Sequence, residues 1–231
     1  MPQYLADIKP TEFFLTDAEA HHACAVARHK EGDVVRVFDG KGKQFMGRIT
    51  QIQKKWVRGE LLQPCPVRRV PLQLTVAFVP NSRTGLEEVL DKATQLGASA
   101  FLPLVSARCE YDVLAKYDGK KERWNQIMLC ACKQCDTPLV PRLLPPVPFA
   151  QAVQDKEPAL LAYEAEQTHT LAWGLKQLNN PTALRVYIGP AGGWTEEEVA
   201  LAKRNGVWAV TLGVNILRAE TACIAAAAKL L

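Results

Sequence analysis

The chain has 231 residues, 48% hydrophobic and 23% charged, with a mild net charge of +4. These proportions are close to globular averages and exclude a disordered chain, and seven cysteines in a chain of this length make a poor disulfide scaffold. No stretch approaches the roughly 18 consecutive apolar residues of a spanning helix, and Met1 to Asp7 carries neither the basic nor the apolar section of a secretory signal. A reduced, cytoplasmic setting without a membrane is expected.

The charge is unevenly placed. Residues 1–70 hold twelve Lys/Arg against eight Asp/Glu, whereas residues 71–231 hold sixteen of each. From Lys41 to Arg69, eight basic residues face only Glu60, with Phe45 and Trp56 among them. A basic, strand-rich segment with aromatics suits a polyanion, because each phosphate contact releases counterions. A solvated sheet face accounts for the same run.

In chain order, Thr16-Asp17-Ala18-Glu19 has the form of a capping box and predicts a short helix through His21, His22 and Val26. Strands are predicted at 34–38, 44–51 and 56–61, the first two joined by the turn Asp39-Gly40-Lys41-Gly42. Short strands at this spacing suggest a small barrel. The Pro-rich run from Gln63 to Pro71 breaks the pattern and sets an expected domain boundary at 69/70. Beyond it, apolar runs at 72–79, 100–105, 159–163, 184–188 and 207–212 read as buried strands. Leu86, Val89, Leu90, Ala93 and Leu96 recur at helical spacing before Gly97, and Trp124, Ile127, Met128 and Ala131 mark a second helix. Thr195-Glu196-Glu197-Glu198 is another capping box, opening a helix that stops at Asn205-Gly206, and residues 221–231 form an Ala-rich last helix. Strands alternating with helices predict an α/β domain with a mostly parallel sheet.

Three segments can carry chemistry. The run Ile188-Gly189-Pro190-Ala191-Gly192-Gly193 leads from a buried strand through a glycine turn into a capped helix; it fits a ligand held by backbone N–H groups, or a tight turn with none. It has neither the dinucleotide G-x-G-x-x-G spacing nor a P-loop Lys. The run from Leu212-Gly213 through Ile216-Leu217 places Arg218, Glu220 and Thr221 at the mouth of the last helix. Ligands of open α/β sheets bind beyond the carboxyl ends of the strands, so two such loops can share one pocket. Residues 87–97, the strand at 101–105 and Arg108 read alone as a helix–strand unit with a surface arginine. Cys130, Cys132 and Cys135 lack a fourth ligand nearby, and the adjacent His21 and His22 do not share a helix face, so no metal is expected.

Taken together, these segments resemble the ribosomal RNA small subunit methyltransferase E family over nearly the whole chain. His21-His22 through Val26 and Arg28, Gly32-Asp33 and residues 39–42 are similar to its N-terminal PUA-like barrel. Lys92-Ala93-Thr94, Leu96-Gly97 and Arg108 are similar to its first helix–strand unit, and Gln134-Cys135 with Pro141 to the next helix and its exit. Gly189-Pro190, Gly192-Gly193, Leu212-Gly213 and the run 216–221 are similar to its knot motifs. The family usually has Glu at the positions of Gln95, Lys133 and Ala191, and Arg near Thr137.

The resemblance implies a PUA-like RNA-binding barrel over 1–69 and, over 70–231, a knotted SPOUT-type α/β domain that uses S-adenosylmethionine to methylate N3 of a uridine in 16S ribosomal RNA. It implies that Ile188, Gly189, Pro190, Gly192, Gly193, Leu212, Gly213, Ile216 and Leu217 hold the cofactor. Arg218 would orient the uridine or stabilise charge on its oxygens, with Glu220 and Thr221 capping or orienting the loop. His22, Arg28, Arg48, Lys54, Arg58 and Arg108 would contact RNA. The expected partners are 16S ribosomal RNA or the small subunit and a second copy in a homodimer. Loss of the usual carboxylates leaves open a relative that binds RNA or ribosomes without that activity, and a second alternative is an unrelated α/β enzyme for a nucleotide-type ligand in which the basic barrel serves only solubility.

Overall fold

In the computed structural model, residues 3–68 and 70–231 are described. Met1, Pro2 and Arg69 lie outside the described residues, and with Arg69 goes the expected domain boundary and one member of the basic run. The chain divides into two units: Met1–Arg69 with Leu129–Val140, and Val70–Met128 with Pro141–Leu231. The first unit is therefore not one continuous stretch.

The first unit contains β1 (Gln3–Leu5), β2 (Asp7–Ile8), β3 (Glu12–Thr16), α1 (Asp17–His21), β4 (Val34–Phe38), β5 (Gln44–Gln53) and β6 (Trp56–Pro64). They form one curled six-stranded sheet in the order β1-β4-β5-β6-β3-β2. Its pairs are antiparallel except β1–β4. In the turn between β4 and β5, the Asp39 carboxylate accepts the N–H groups of Lys41 and Lys43 at 2.7 and 2.9 Å, while Gly40 and Gly42 take positive φ. Phe13 on β3 is fully buried across Gly47 and Gly59 of the facing strands. A Cβ at Gly59 would lie 2.2 Å from the Phe13 ring and 2.4 Å from the Arg48 carbonyl oxygen, so only hydrogen fits there.

The capping box expected at Thr16 does not form: Thr16 is the N-cap residue, but its side chain makes no cap bond. Glu19 is engaged elsewhere, accepting the Leu5 N–H at 3.2 Å and the Lys133 ammonium at 2.7 and 2.9 Å. The helix lasts five residues and continues as a π-turn over His22–Val26.

The second unit contains β7 (Gln73–Phe78), α2 (Arg83–Leu96), β8 (Ala100–Val105), α3 (Val113–Cys135, its last turns in the first unit), β9 (Arg142–Leu143), β10 (Val147–Pro148), α4 (Phe149–Ala152), β11 (Ala159–Ala162), α5 (Leu171–Gln177), β12 (Ala183–Ile188), α6 (Glu196–Arg204), β13 (Trp208–Val210) and α7 (Ala219–Leu230). Its sheet has the order β10-β8-β7-β12-β11-β13, with β9 beside β8, and every pairing is parallel.

The strands read as unbroken apolar runs because both faces are covered. On one face Ala77, Leu102, Leu104, Leu161 and Tyr187 pack with Phe149 of α4 and Val199 and Ala202 of α6. On the other face α7 lies on β7 and β12 and packs along α2, while Gly174 of α5 seats against Leu160. Helix ends follow their sequence signals. Ser82 accepts the Gly85 N–H, Gly97 closes α2 at φ 102°, and the capping box at Thr195 is complete, with both Thr195 and Glu198 bonded reciprocally. From the adjacent strands β7 and β12 the chain leaves toward opposite edges of the sheet.

Candidate active site

Beyond the carboxyl ends of β11, β12 and β13, three loops enclose a cavity of about 300 Å3. Its wall consists of residues 162–164 after β11, 188–193 from the end of β12, 211–217 after β13, and Ala219 and Ala222 of α7. The volume is at the lower end of the roughly 300–1,000 Å3 of small-molecule sites.

Each loop is tied down by its neighbours. The Trp194 indole N–H donates to the Ala162 carbonyl oxygen at 3.1 Å, fastening the β12 loop to β11. Ala191 N–H donates to the Asn81 side-chain oxygen at 3.0 Å, and Arg108 donates to the Gly192 carbonyl oxygen at 2.6 Å. In the β13 loop, the Thr211 hydroxyl accepts the Gly213 N–H at 3.2 Å and donates to the Gly213 carbonyl oxygen at 3.0 Å, and Lys229 of α7 donates to the Leu212 carbonyl oxygen at 2.5 Å. After β11, Glu166 accepts the N–H groups of Thr168 and His169 at 2.9 and 3.1 Å. Those two bonds, with His169 adding a smaller contribution, hold the Glu166 carboxyl down at about 2.

The glycines set the shape of the slot. Gly193 adopts φ 69°, and a Cβ there would lie 2.2 Å from the Glu164 carboxylate, which rests over its Cα. The N–H groups of Val214, Asn215, Ile216 and Leu217 make no hydrogen bond among the described residues. Uncommitted donors, apolar walls from Ile188 and Leu217, and one carboxylate make a donor set suited to an adenosine-type ligand.

The matches with known proteins agree with this geometry. Residues 68–231 match a family model described as an RNA methyltransferase domain, and residues 15–62 match one described as an RNA methyltransferase PUA domain. Ribosomal RNA small subunit methyltransferase E of Synechocystis is 33% identical over 94% of this chain and 71% of its own length. The chain belongs to the ribosomal RNA small subunit methyltransferase E family. The Bacillus subtilis member is 32% identical, covering 91% of this chain and 86% of the relative. A crystal structure of the Neisseria gonorrhoeae member bound to S-adenosyl methionine superposes with a TM-score of 0.89 at 29% identity, covering all of this chain and 96% of the other. A Legionella pneumophila methyltransferase in complex with S-adenosylmethionine gives 0.85 at 27% identity, over 99% and 95% of the two chains.

In this member of the methyltransferase E family, all nine residues expected at the cofactor line the cavity: Ile188, Gly189, Pro190, Gly192, Gly193, Leu212, Gly213, Ile216 and Leu217. Arg218, Glu220 and Thr221 do not. Arg218 is the N-cap residue of α7 with an exposed side chain, and Thr221 is exposed. Glu220 turns toward α2, where its carboxylate packs on Gly85; its Oε2 is buried with no hydrogen-bond partner among the described residues. Burial first, and Glu220 second, push the neighbouring Cys223 thiol up.

The residues expected at RNA are dispersed. Arg28, Arg48, Lys54, Arg58 and Arg108 are exposed. Arg48 is paired with Glu60 at 3.1 Å and Arg58 with Glu12 at 2.6 Å, whereas Arg28 and Lys54 have no ion pair among the described residues. His22 is half-buried against the Tyr4 ring at 5.6 Å. Where the family pattern expects carboxylates, Lys133 is satisfied by Glu19, Gln95 bonds Asp91 at 2.8 Å, and Ala191 lends its N–H to Asn81. Sequence reasoning missed Tyr163 and Glu164, because the loop after β11 has no glycine signature, and Thr211, which read as the end of the strand before Leu212-Gly213.

Among the described residues no group of His, Cys, Asp or Glu is placed to hold a metal ion. No helix among them is long and apolar enough to cross a membrane.

Proposed function

We propose that this protein transfers a methyl group from S-adenosylmethionine to N3 of a uridine in 16S ribosomal RNA. The observation that carries the reading is the meeting of the two glycine-bearing loops, with the β11 loop, around one cavity in a chain of this family. The cofactor supplies, when bound, an electrophilic methyl group on a sulfonium centre. The uncommitted N–H groups of residues 214–217 present hydrogen bonds to its polar edge, and Ile188 and Leu217 flank it with apolar surface. Holding the acceptor in line is worth up to ~7–11 kcal/mol in well-oriented systems. Arg218, exposed at the N-cap of α7 and outside the cavity lining, is free to orient the uridine and to stabilise negative charge on its oxygens as the N3 proton leaves. The base has to be unpaired or extruded to arrive there.

The proposal includes the knotted SPOUT form of the second unit. Its support is that the chain returns from the edge strand β13 to pack α7 on the central strands β7 and β12. It includes a PUA-like barrel for the curled first sheet, whose unpaired Arg28 and Lys54 grip phosphates and whose match to a PUA model supports an RNA role. It also includes a homodimer in the cytoplasm: Val214 and Ile216 stand 99% and 85% exposed beside the cavity, apolar surface that a second copy would cover. The test is calorimetry with S-adenosylmethionine, followed by methyl transfer to small subunits lacking the modification and mapping of the methylated atom. Binding and transfer to N3 are expected; binding without transfer refutes the reaction, and no binding refutes the whole reading.

A further inference from the structure

We infer that Glu164 makes the cavity selective for a cationic methyl donor over its uncharged demethylated product. Three observations meet at this residue. Among the described residues lining the cavity, Glu164 carries the only full charge. Its carboxylate lies over Gly193 Cα, in space that any side chain at 193 would occupy, since a Cβ there would come within 2.2 Å of Oε1. Gly193 itself sits at φ 69°, a conformation glycine adopts freely, so the sequence leaves this space open for the carboxylate. The nearby guanidinium of Arg108 is committed to the Gly192 carbonyl oxygen and does not pair with Glu164.

The inference rests on the methyl-donor reading of the cavity. S-adenosylmethionine carries a sulfonium charge in addition to its amino-acid ammonium and carboxylate. S-adenosylhomocysteine keeps the adenine, ribose and amino-acid groups and lacks the methyl group and, with it, the sulfonium charge. A carboxylate in the wall of a cavity this small interacts with the charge that distinguishes the two molecules, whereas adenine, ribose and amino-acid contacts are common to both. The carboxylate therefore favours entry of the donor and departure of the product. Glu164 is a specificity-determining residue, distinct from the backbone groups that give affinity to both ligands.

The test uses the full-length protein and Glu164→Gln, which keeps the shape and removes the charge. Isothermal titration measures the dissociation constants of S-adenosylmethionine, S-adenosylhomocysteine and sinefungin, which carries an ammonium close to where the donor has its sulfonium. Loss of one charge interaction in a partly hydrated site predicts about a fivefold change in a dissociation constant. Glu164→Gln is expected to weaken S-adenosylmethionine and sinefungin by about that factor and to leave S-adenosylhomocysteine within about twofold. The shift in the donor-to-product ratio should shrink as salt is raised. Equal weakening of all three ligands would mean that Glu164 only shapes the slot or binds a shared hydroxyl, and no change at all would mean that it stands apart from the ligand; either overturns the inference while leaving the donor reading intact. A wild-type protein that binds none of the three overturns both.

Discussion

Gly193→Ala tests the geometry of the cavity wall. The added methyl meets two obstacles. At φ 69° an L residue pays a left-handed backbone cost of about 1–2 kcal/mol. The new Cβ would stand 2.2 Å from Glu164 Oε1, against a comfortable contact of about 3.5 Å. The Glu164 tip is exposed and can swing away, so this second obstacle costs only a displaced rotamer, about 0.5–1.5 kcal/mol. Together the two give roughly 1.5–3.5 kcal/mol. A chain of this size loses about 2–4 °C of melting temperature per kcal/mol, so a fall of roughly 3–14 °C is expected by calorimetry. A double-mutant cycle separates the causes. In a Glu164→Ala background the steric part is gone and only the backbone cost of about 1–2 kcal/mol should remain. The same loss in both backgrounds would refute the placement of the carboxylate over Gly193, and no loss in either would refute the left-handed turn.

Other residues give independent tests. Thr195→Ala removes a complete capping box and should cost about 1 kcal/mol, whereas Thr16→Ala, at a helix start without a side-chain bond, should stay within about 0.5 kcal/mol; urea unfolding distinguishes the two. Gly59→Ala forces a methyl into the Phe13 ring and the Arg48 carbonyl, so it should destabilise the first unit by 1–3 kcal/mol or more, at roughly the overpacking limit, and a variant as stable as wild type would contradict the sheet packing. Because Glu166 is held at about 2 in the folded chain against an ordinary value of 4.5, its contribution is fully present above about pH 4.5 and is lost as pH falls toward 2. Hydrogen-exchange protection factors at Thr168 and His169, corrected for the intrinsic pH dependence of exchange, should fall over that window, and Glu166→Gln should abolish the change. For RNA binding, Lys54→Ala should reduce the slope of log affinity against log salt by about 0.7–0.9, while Arg48→Ala, whose charge is already matched by Glu60, should reduce it less.

The sequence displays those parts of the structure that rest on local chemistry. The strands at 34–38 and 100–105 are where their apolar runs place them, and Thr195 and Gly97 end their helices as capping chemistry requires. The slot itself was legible because both of its main loops carry glycines immediately after buried strands. Thr16 misled because a capping box is a statement about local partners, and Lys133, far away in sequence, takes the Glu19 side chain. The membership of residues 129–140 in the first unit was hidden for the same reason: the bonds from Gln3 to the Cys132 carbonyl and between Arg36 and Asp136 span about a hundred residues or more and leave no periodic trace. Glu164 was invisible because an acid in a loop looks solvated until the backbone of Gly193 is seen beneath it. Glu220, expected to cap or orient its own loop, packs on Gly85, a contact that only the packing of α7 on α2 creates.

The central claim is that the loops at 188–193 and 211–217 together hold a methyl donor. The most direct measurement is a crystal structure of this chain grown with S-adenosylmethionine. The account predicts density for the donor between those loops, with its polar edge on the backbone of residues 214–217 and its charged sulfur on the side of Glu164. A donor bound elsewhere on the chain, or loops that part with no ligand between them, would contradict it.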